Sequence, residues 1–281
     1  MSAAPHRLTE TEGIDASAYL DLLKRHLLGL HTDVYVRVER PRRVLRLLKQ
    51  AVSTAPGRRE IEVVKRADPA AVAEGRFWPF VGETMIGLKR LDNLQRCMED
   101  VLDTGVPGDF IETGVWRGGS AIFMRAVLKA HGVTDRRVWA ADSFEGLPPP
   151  NPESYPVDAG DEHHTIDTLA VSLERVRSNF ASYGLLDDQV RFLKGWFRDT
   201  LPTTSNERWA VVRLDGDLYE STMQGLEHLY PRLSVGGYLI VDDYGDLLSC
   251  RRAVDDYRAA HGVNEPIQEI DHTGIFWRRE S

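Results

Sequence analysis

A Rossmann-like, doubly wound and mostly parallel α/β sheet is the fold class this sequence predicts, with a helical arm before it and an antiparallel strand at its end. Three observations carry that expectation. Residues 108–120 read G-D-F-I-E-T-G-V-W-R-G-G-S: a short apolar strand, a glycine turn and an apolar helical pattern, the opening of a nucleotide-binding α/β unit. Short apolar strands then alternate with helical patterns along most of the remaining chain. Acids stand at the strand ends, at Glu112, Asp142, Asp215, Asp242 and Asp243, and open α/β sheets bind ligands beyond those carboxyl ends.

The first residues, M-S-A-A-P-H-R-L-T-E-T-E-G, lack the apolar core of a signal peptide and predict a disordered start. Residues 15–30 carry helical spacing in Tyr19, Leu22, Leu23, Leu27 and Leu30. Residues 34–38 fit a short strand or a bend. Residues 40–50 read as an amphipathic helix with a solvated basic face. Pro56-Gly57 punctuates the chain, and 67–75 read as a short Ala-rich helix. Residues 1–75 thus form a helical arm that covers the core or contributes to oligomerisation, and residues 76–281 the α/β domain.

The stretch R-F-W-P-F-V-G-E-T-M-I-G at 76–87 reads as a loop able to act as a lid. A helix over 88–102 aligns Leu91, Leu94, Met98, Val101 and Leu102. The central strand is 109–112, and Ser120 opens the next helix. A second strand, 138–141, ends in Asp142. The proline- and acid-rich segment that follows cannot form a core element, and loops of that length in a compact domain are usually functional. His163 and His164 close it, before a helix over 166–183. A strand at 189–193 leads into K-G-W-F-R-D-T-L, where Trp196 and Phe197 either flank a flat ring or are core aromatics. The strand W-A-V-V-R-L at 209–214 ends in D-G-D, and a helix spans 219–233. Gly236-Gly237 turns into a strand over 238–241 that ends in Asp242-Asp243. A helix over 251–261 and a hairpin of 267–270 with 273–277 complete the chain.

The glycine turn lacks the G-x-G-x-x-G of a dinucleotide site. An acid precedes Gly114, and Gly118 and Gly119 follow it. S-adenosylmethionine, whose amino acid end carries an ammonium group, suits Glu112 better than a pyrophosphate does. Asp142 can accept hydrogen bonds from ribose hydroxyls. Asp215 and the Asp242-Asp243 pair end strands separated by one helix, so they can face one another. Clustered carboxylates repel unless neutralised, and an oxygen-ligated cation such as Mg²⁺ does this. His163 and His164 are either a solvent-exposed pair or proton carriers, since histidine titrates near neutral pH.

The formal charge of -8 argues against a general nucleic-acid binder. Two cysteines, Cys97 and Cys250, set no disulfide framework and fit a reducing cytoplasm. No apolar run reaches the ~18–20 residues that span a membrane.

The stretches G-D-F-I-E-T-G-V-W-R-G-G, A-D-S-F-E-G, Y-G-L-L-D-D-Q-V-R-F-L-K-G-W-F-R-D-T-L-P, R-L-D-G-D-L-Y-E-S-T-M and P-R-L-S-V-G-G-Y-L-I-V-D-D-Y resemble the macrocin O-methyltransferase family. The likeness covers residues 84–279, with Y-L-D-L-L-K-R at 19–25 as a further match. It implies a class I methyltransferase fold and a metal-dependent enzyme that uses S-adenosylmethionine to methylate sugar hydroxyls on macrolide and related antibiotics. It also implies a homo-oligomer. By position, Glu112, Gly114, Arg117, Gly118, Gly119 and Ser120 match the cofactor turn. Asp142, Ser143 and Phe144 match the adenosine segment, and Gly195, Trp196 and Phe197 the segment near the adenine. Thr84 and Met85 match a segment near the methionine end. Asp215, Asp242 and Asp243 match the metal ligands, with Asp217 the alternative within D-G-D. Asp215 or one of His163 and His164 is the general base. Competing readings are a metal-dependent phenol or catechol O-methyltransferase, an NAD-dependent oxidoreductase and an inactive scaffold.

Overall fold

The structure, a computed structural model, describes residues 15–31, 33–37 and 64–281. The expected disordered start, the basic helix over 40–50 and the Pro56-Gly57 break lie outside the described residues.

The predicted sheet is present. Seven strands run in the order β5-β4-β3-β6-β7-β9-β8. They are β3 (Asp109–Thr113), β4 (Val138–Asp142), β5 (Val190–Lys194), β6 (Trp209–Leu214), β7 (Leu233–Val241), β8 (Gln268–Glu269) and β9 (Ile275–Arg278). The first five pair in parallel, and β9 runs antiparallel to both β7 and β8. The order reverses between β3 and β6, so a crevice opens there beyond the strand ends.

Both faces are covered, which is why the central strands read as continuous apolar runs. Successive residues feed opposite cores. Phe110 packs with Leu91, Phe123 and Phe180 on one face, while Ile111 packs with Trp209, Val212 and Trp277 on the other. The helices α3 (Gly87–Asp103) and α4 (Gly119–Ala130) lie on the first face. The helices α7 (Tyr219–Leu229) and α8 (Leu248–His261) cover the second. In the N-terminal region, α1 (Ala16–Leu27) puts Leu20, Leu23 and Leu27 into the first core, and its Lys24 pairs with Asp92 of α3 at 2.6 Å. A small antiparallel pair, β1 (Tyr35–Arg37) and β2 (Val64–Arg66), and the short α2 (Pro69–Ala73) follow it.

Two expectations are corrected. The helix expected over 166–183 is α5 (Leu173–Ser182) only. Residues 163–165 and 167–169 form 3-10 turns instead, and the Ser172 side chain caps α5 by accepting from the Arg175 N–H. The glycine pair at 236–237 is no turn before a strand. It lies inside β7, where the pairing with β6 jumps from Trp209↔Leu233 to Val211↔Tyr238, a bulge that a left-handed Gly236 permits. The short α6 (Phe197–Thr200) follows β5. Among the described residues, no helix is long and apolar enough to cross a membrane.

Candidate active site

A cavity of about 570 Å³ opens at the switch point of the sheet. Its wall takes Gly114 from after β3, Asp142 from the end of β4, Gly195 and Trp196 from after β5, Asp215 and Asp217 from after β6, and Asp242 and Asp243 from after β7. Among the described residues, three non-glycine residues have left-handed φ: Trp116 (47°), Phe144 (57°) and Asp217 (57°). All three sit in the loops that follow β3, β4 and β6, on the side of the sheet where the cavity opens.

The glycine turn is shaped by close packing. Gly114 has φ of 81°, and a Cβ there would overlap the carbonyl oxygen of Asp215. The ends of β3 and β6 therefore touch, with Asp215 N–H donating to the Thr113 carbonyl at 2.9 Å. At the start of α4 the Gly119 N–H donates to the Glu83 carbonyl at 3.0 Å. That contact lays the 83–87 segment across the helix start and brings Met85 to the cavity.

Asp142 joins two loops. Its carboxylate accepts from the Val115 N–H at 2.6 Å and the Phe144 N–H at 2.7 Å. Burial pushes its pKa up, and these N–H groups oppose the rise.

Of the residues matched to the cofactor, Met85, Gly114, Ser120, Asp142, Ser143, Gly195, Trp196 and Phe197 line the cavity. Thr84, Glu112, Arg117, Gly118, Gly119 and Phe144 are not part of that wall. Arg117 Nη1 donates to the carbonyls of Pro79, Phe80 and Gly82 at 3.3, 3.2 and 2.8 Å, and its guanidinium stacks on Trp116. It anchors the aromatic loop at 79–82. Glu112 is fully buried and accepts from Ser120 Oγ and Arg213.

The carboxylates do converge. Ligand oxygens of Asp215, Asp242 and Asp243 lie within 4.8 Å of one another. Asp243 Oδ2 is buried without a hydrogen-bond partner. Burial and the nearby Asp215, Asp217 and Asp242 hold the Asp243 pKa well above its ordinary value. An unpartnered buried carboxylate oxygen beside two more carboxylates fits a hard divalent cation. Asp217 lines the same wall, and its pKa is pushed up to about 7 by burial and by Asp215.

His163 and His164 part company. His163 lines the cavity, and its Nδ1 lies 2.6 Å from Asp161 Oδ2. Burial works against its charge, but the hydrogen bond to Asp161 and the nearby Asp217 and Asp246 outweigh it, so its pKa is raised. His164 does not line the cavity. The segment carrying His163 is docked by Asp158, whose carboxylate accepts from the Tyr219 N–H (2.7 Å) and the Glu220 N–H (3.2 Å) at the start of α7. A helix without a cap of its own is thus capped by a distant loop.

Sequence reasoning missed Asp158, Asp161, Arg90 and Arg213. The last had a signal. A basic residue in an otherwise apolar, fully buried strand must find acidic partners, and the acids stood at the neighbouring strand ends.

The family model described as Macrocin-O-methyltransferase (TylF) matches residues 16–279. An 8-demethyl-8-(2,3-dimethoxy-alpha-L-rhamnosyl)-tetracenomycin-C 4'-O-methyltransferase from Streptomyces olivaceus is 63% identical over 215 residues, covering 75% of this chain and 80% of that protein. A Mycinamicin III 3''-O-methyltransferase from Micromonospora griseorubida is 51% identical over 245 residues, covering 84% and 96%. The solved structure of the O-methyltransferase NovP superposes with a TM-score of 0.82 at 46% identity, covering 95% of this chain and all of that one.

Proposed function

The chain belongs to the macrocin O-methyltransferase family, and from that premise we propose that it moves the methyl group of S-adenosylmethionine to a sugar hydroxyl of a glycosylated natural product, with the help of Mg²⁺. The observation that carries the cation is the convergence of Asp215, Asp242 and Asp243 on one wall of the cavity. The relatives' names support the sugar: one specifies a rhamnosyl-tetracenomycin, and another the 3'' position of mycinamicin III.

In this reading Asp142, at the end of β4, accepts from the ribose, and Trp196 and Phe197 bracket the adenine; all three line the cavity. Met85 and Ser120 stand where the methionine end would lie. Asp215, Asp242 and Asp243 would hold the cation, which supplies polarisation of the hydroxyl to be methylated. A sugar hydroxyl is a weak acid, so the chain must also take its proton. His163 is the acceptor in this reading. Its Nδ1 is engaged by Asp161, which leaves Nε2 for the hydroxyl, and its ring is on the cavity wall. The remaining task is alignment of oxygen, methyl and sulfur, a matter of position rather than of covalent chemistry.

A second reading gives the proton to Asp217, favoured by its left-handed backbone on the same wall. The pH profile separates the two. Because the His163 pKa is raised, the ring keeps its proton to a higher pH than an ordinary imidazole. Activity should then fall as pH drops through a value above ~6.5. Removing the Asp161 charge in Asp161→Asn should move that limb to lower pH. An acid limb that survives in His163→Gln, moved to higher pH because the imidazolium no longer lowers the Asp217 pKa, assigns the proton to Asp217.

The deciding assay follows S-adenosylhomocysteine release with a panel of glycosylated macrolides, with Mg²⁺ and with a chelator. Turnover on a deoxysugar, abolished by the chelator and restored by Mg²⁺, is expected. Turnover indifferent to the chelator would remove the cation from the reading. Cofactor binding without turnover on any sugar would favour a phenolic acceptor.

A further inference from the structure

A buried arginine stands at the centre of the carboxylate set. Arg213 is 1% exposed and sits on β6 opposite Glu112 of β3 and Ile240 of β7. Its Nη1 donates to Glu112 Oε1 at 2.6 Å and to Asp215 Oδ2 at 2.8 Å. Its Nη2 donates to Asp242 Oδ1. Arg90 of α3, also buried, takes the other oxygen of Asp242 at 2.5 Å and lies 3.0 Å from Asp271. Both oxygens of Asp242 are therefore held by guanidinium groups, whereas one oxygen of Asp243 has no partner.

Charge and geometry make opposite forecasts for this arginine. As a positive charge among metal-binding carboxylates, it repels a cation, and losing its exact shape should matter little. As a planar fork of fixed donors, it sets the plane of two carboxylates from different strands. Lysine keeps the charge and loses the fork, so it distinguishes the two.

We propose that Arg213 is a positioning residue for the cation site: it orients Asp215 and Asp242 so that, with Asp243, they present oxygens to one divalent cation. This rests on the cation reading above. Arg90 braces Asp242 from the other side. Glu112 holds the guanidinium from behind, fully buried and off the cavity wall. It also receives Ser120 Oγ from the start of α4, a bond in which Arg213 takes no part.

The test compares the wild-type protein with Arg213→Lys, using Mn²⁺ alone as the probe and the electron paramagnetic resonance signal of free Mn²⁺ as the readout. Loss of an outer-shell orienting group typically weakens a metal site by roughly 10- to 100-fold, and that loss is expected. Affinity for S-adenosylhomocysteine, measured by calorimetry, should be unchanged, and raised Mg²⁺ should restore turnover. Mn²⁺ affinity in Arg213→Lys equal to or tighter than wild type would make Arg213 a mere counter-charge and overturn the inference. Wild-type protein that takes no Mn²⁺ would overturn the cation reading first, and this inference with it. If Arg213→Lys fails to fold, Arg213→Gln replaces it: removing the charge should tighten Mn²⁺ if Arg213 is only a counter-charge, which would overturn the inference, and weaken it if the guanidinium orients Asp215 and Asp242.

Discussion

Asp215→Asn is expected to abolish methyl transfer while leaving cofactor binding intact. Asp215 follows β6 at the switch point, 27% exposed on its side chain, with Oδ2 already engaged by Arg213. Replacing the carboxylate by an amide keeps the shape and removes the charge, so the proposed cation would lose a ligand. A loss of roughly 10³-fold in kcat, about 4 kcal/mol in barrier, follows if activation depends on that ligand. Cofactor affinity should survive, because Asp142 and Trp196, the residues proposed for the adenosine, stand at the ends of β4 and β5 and not beside β6. Turnover by S-adenosylhomocysteine release and affinity by calorimetry separate the two effects. Equal loss of both would show that Asp215 shapes the whole cavity, and its assigned role would fall.

Gly114→Ala should have the opposite profile, a loss of fold from which every function suffers. The left-handed φ of 81° strains any residue with a side chain, by about 1–3 kcal/mol. The added carbon would also overlap the Asp215 carbonyl, a backbone atom that cannot swing aside. The two central strands would have to part, which breaks the Thr113–Asp215 hydrogen bond and unseats the carboxylate at the same point. A fall in melting temperature of roughly 10 °C, at a few degrees per kcal/mol for a chain of this size, should accompany loss of both cofactor and Mn²⁺ binding. A variant that melts with the wild type would mean that the β3 and β6 ends are not in contact. Together the two variants separate a residue that acts on the reaction from one that holds the frame.

Much of this was open to a sequence reader because the signals are local. The strand, glycine turn and helix of 108–120 occupy one short stretch, and hydrophobic periodicity needs only a few turns of chain. The antiparallel end was legible for the same reason, since Gln268–Glu269 and Ile275–Arg278 form a short hairpin. Acids at strand ends could be gathered into one site once the sheet was taken as parallel, and Asp215, Asp242 and Asp243 do converge. Periodicity failed at 166–172, where Ile166, Leu169, Ala170 and Leu173 have helical spacing but the helix begins only at Leu173, after its Ser172 cap. It failed again at Gly236, because a glycine pair signals a bulge inside a strand as well as a turn before one.

The sequence by itself determined the fold class, the family, the acids at the strand ends, and which three of them converge. Only the tertiary structure decided which matched residues face the cavity, that His163 and not His164 stands on its wall, and that Arg213 and Arg90 hold the carboxylates. The physical reason is distance along the chain. Turn chemistry and side-chain period are written within a few residues. The pairing of Arg213 with Glu112 joins positions 101 apart, that of Arg90 with Asp242 positions 152 apart, and the capping of α7 by Asp158 positions 61 apart. Such contacts exist only after strand register and helix packing have placed both partners.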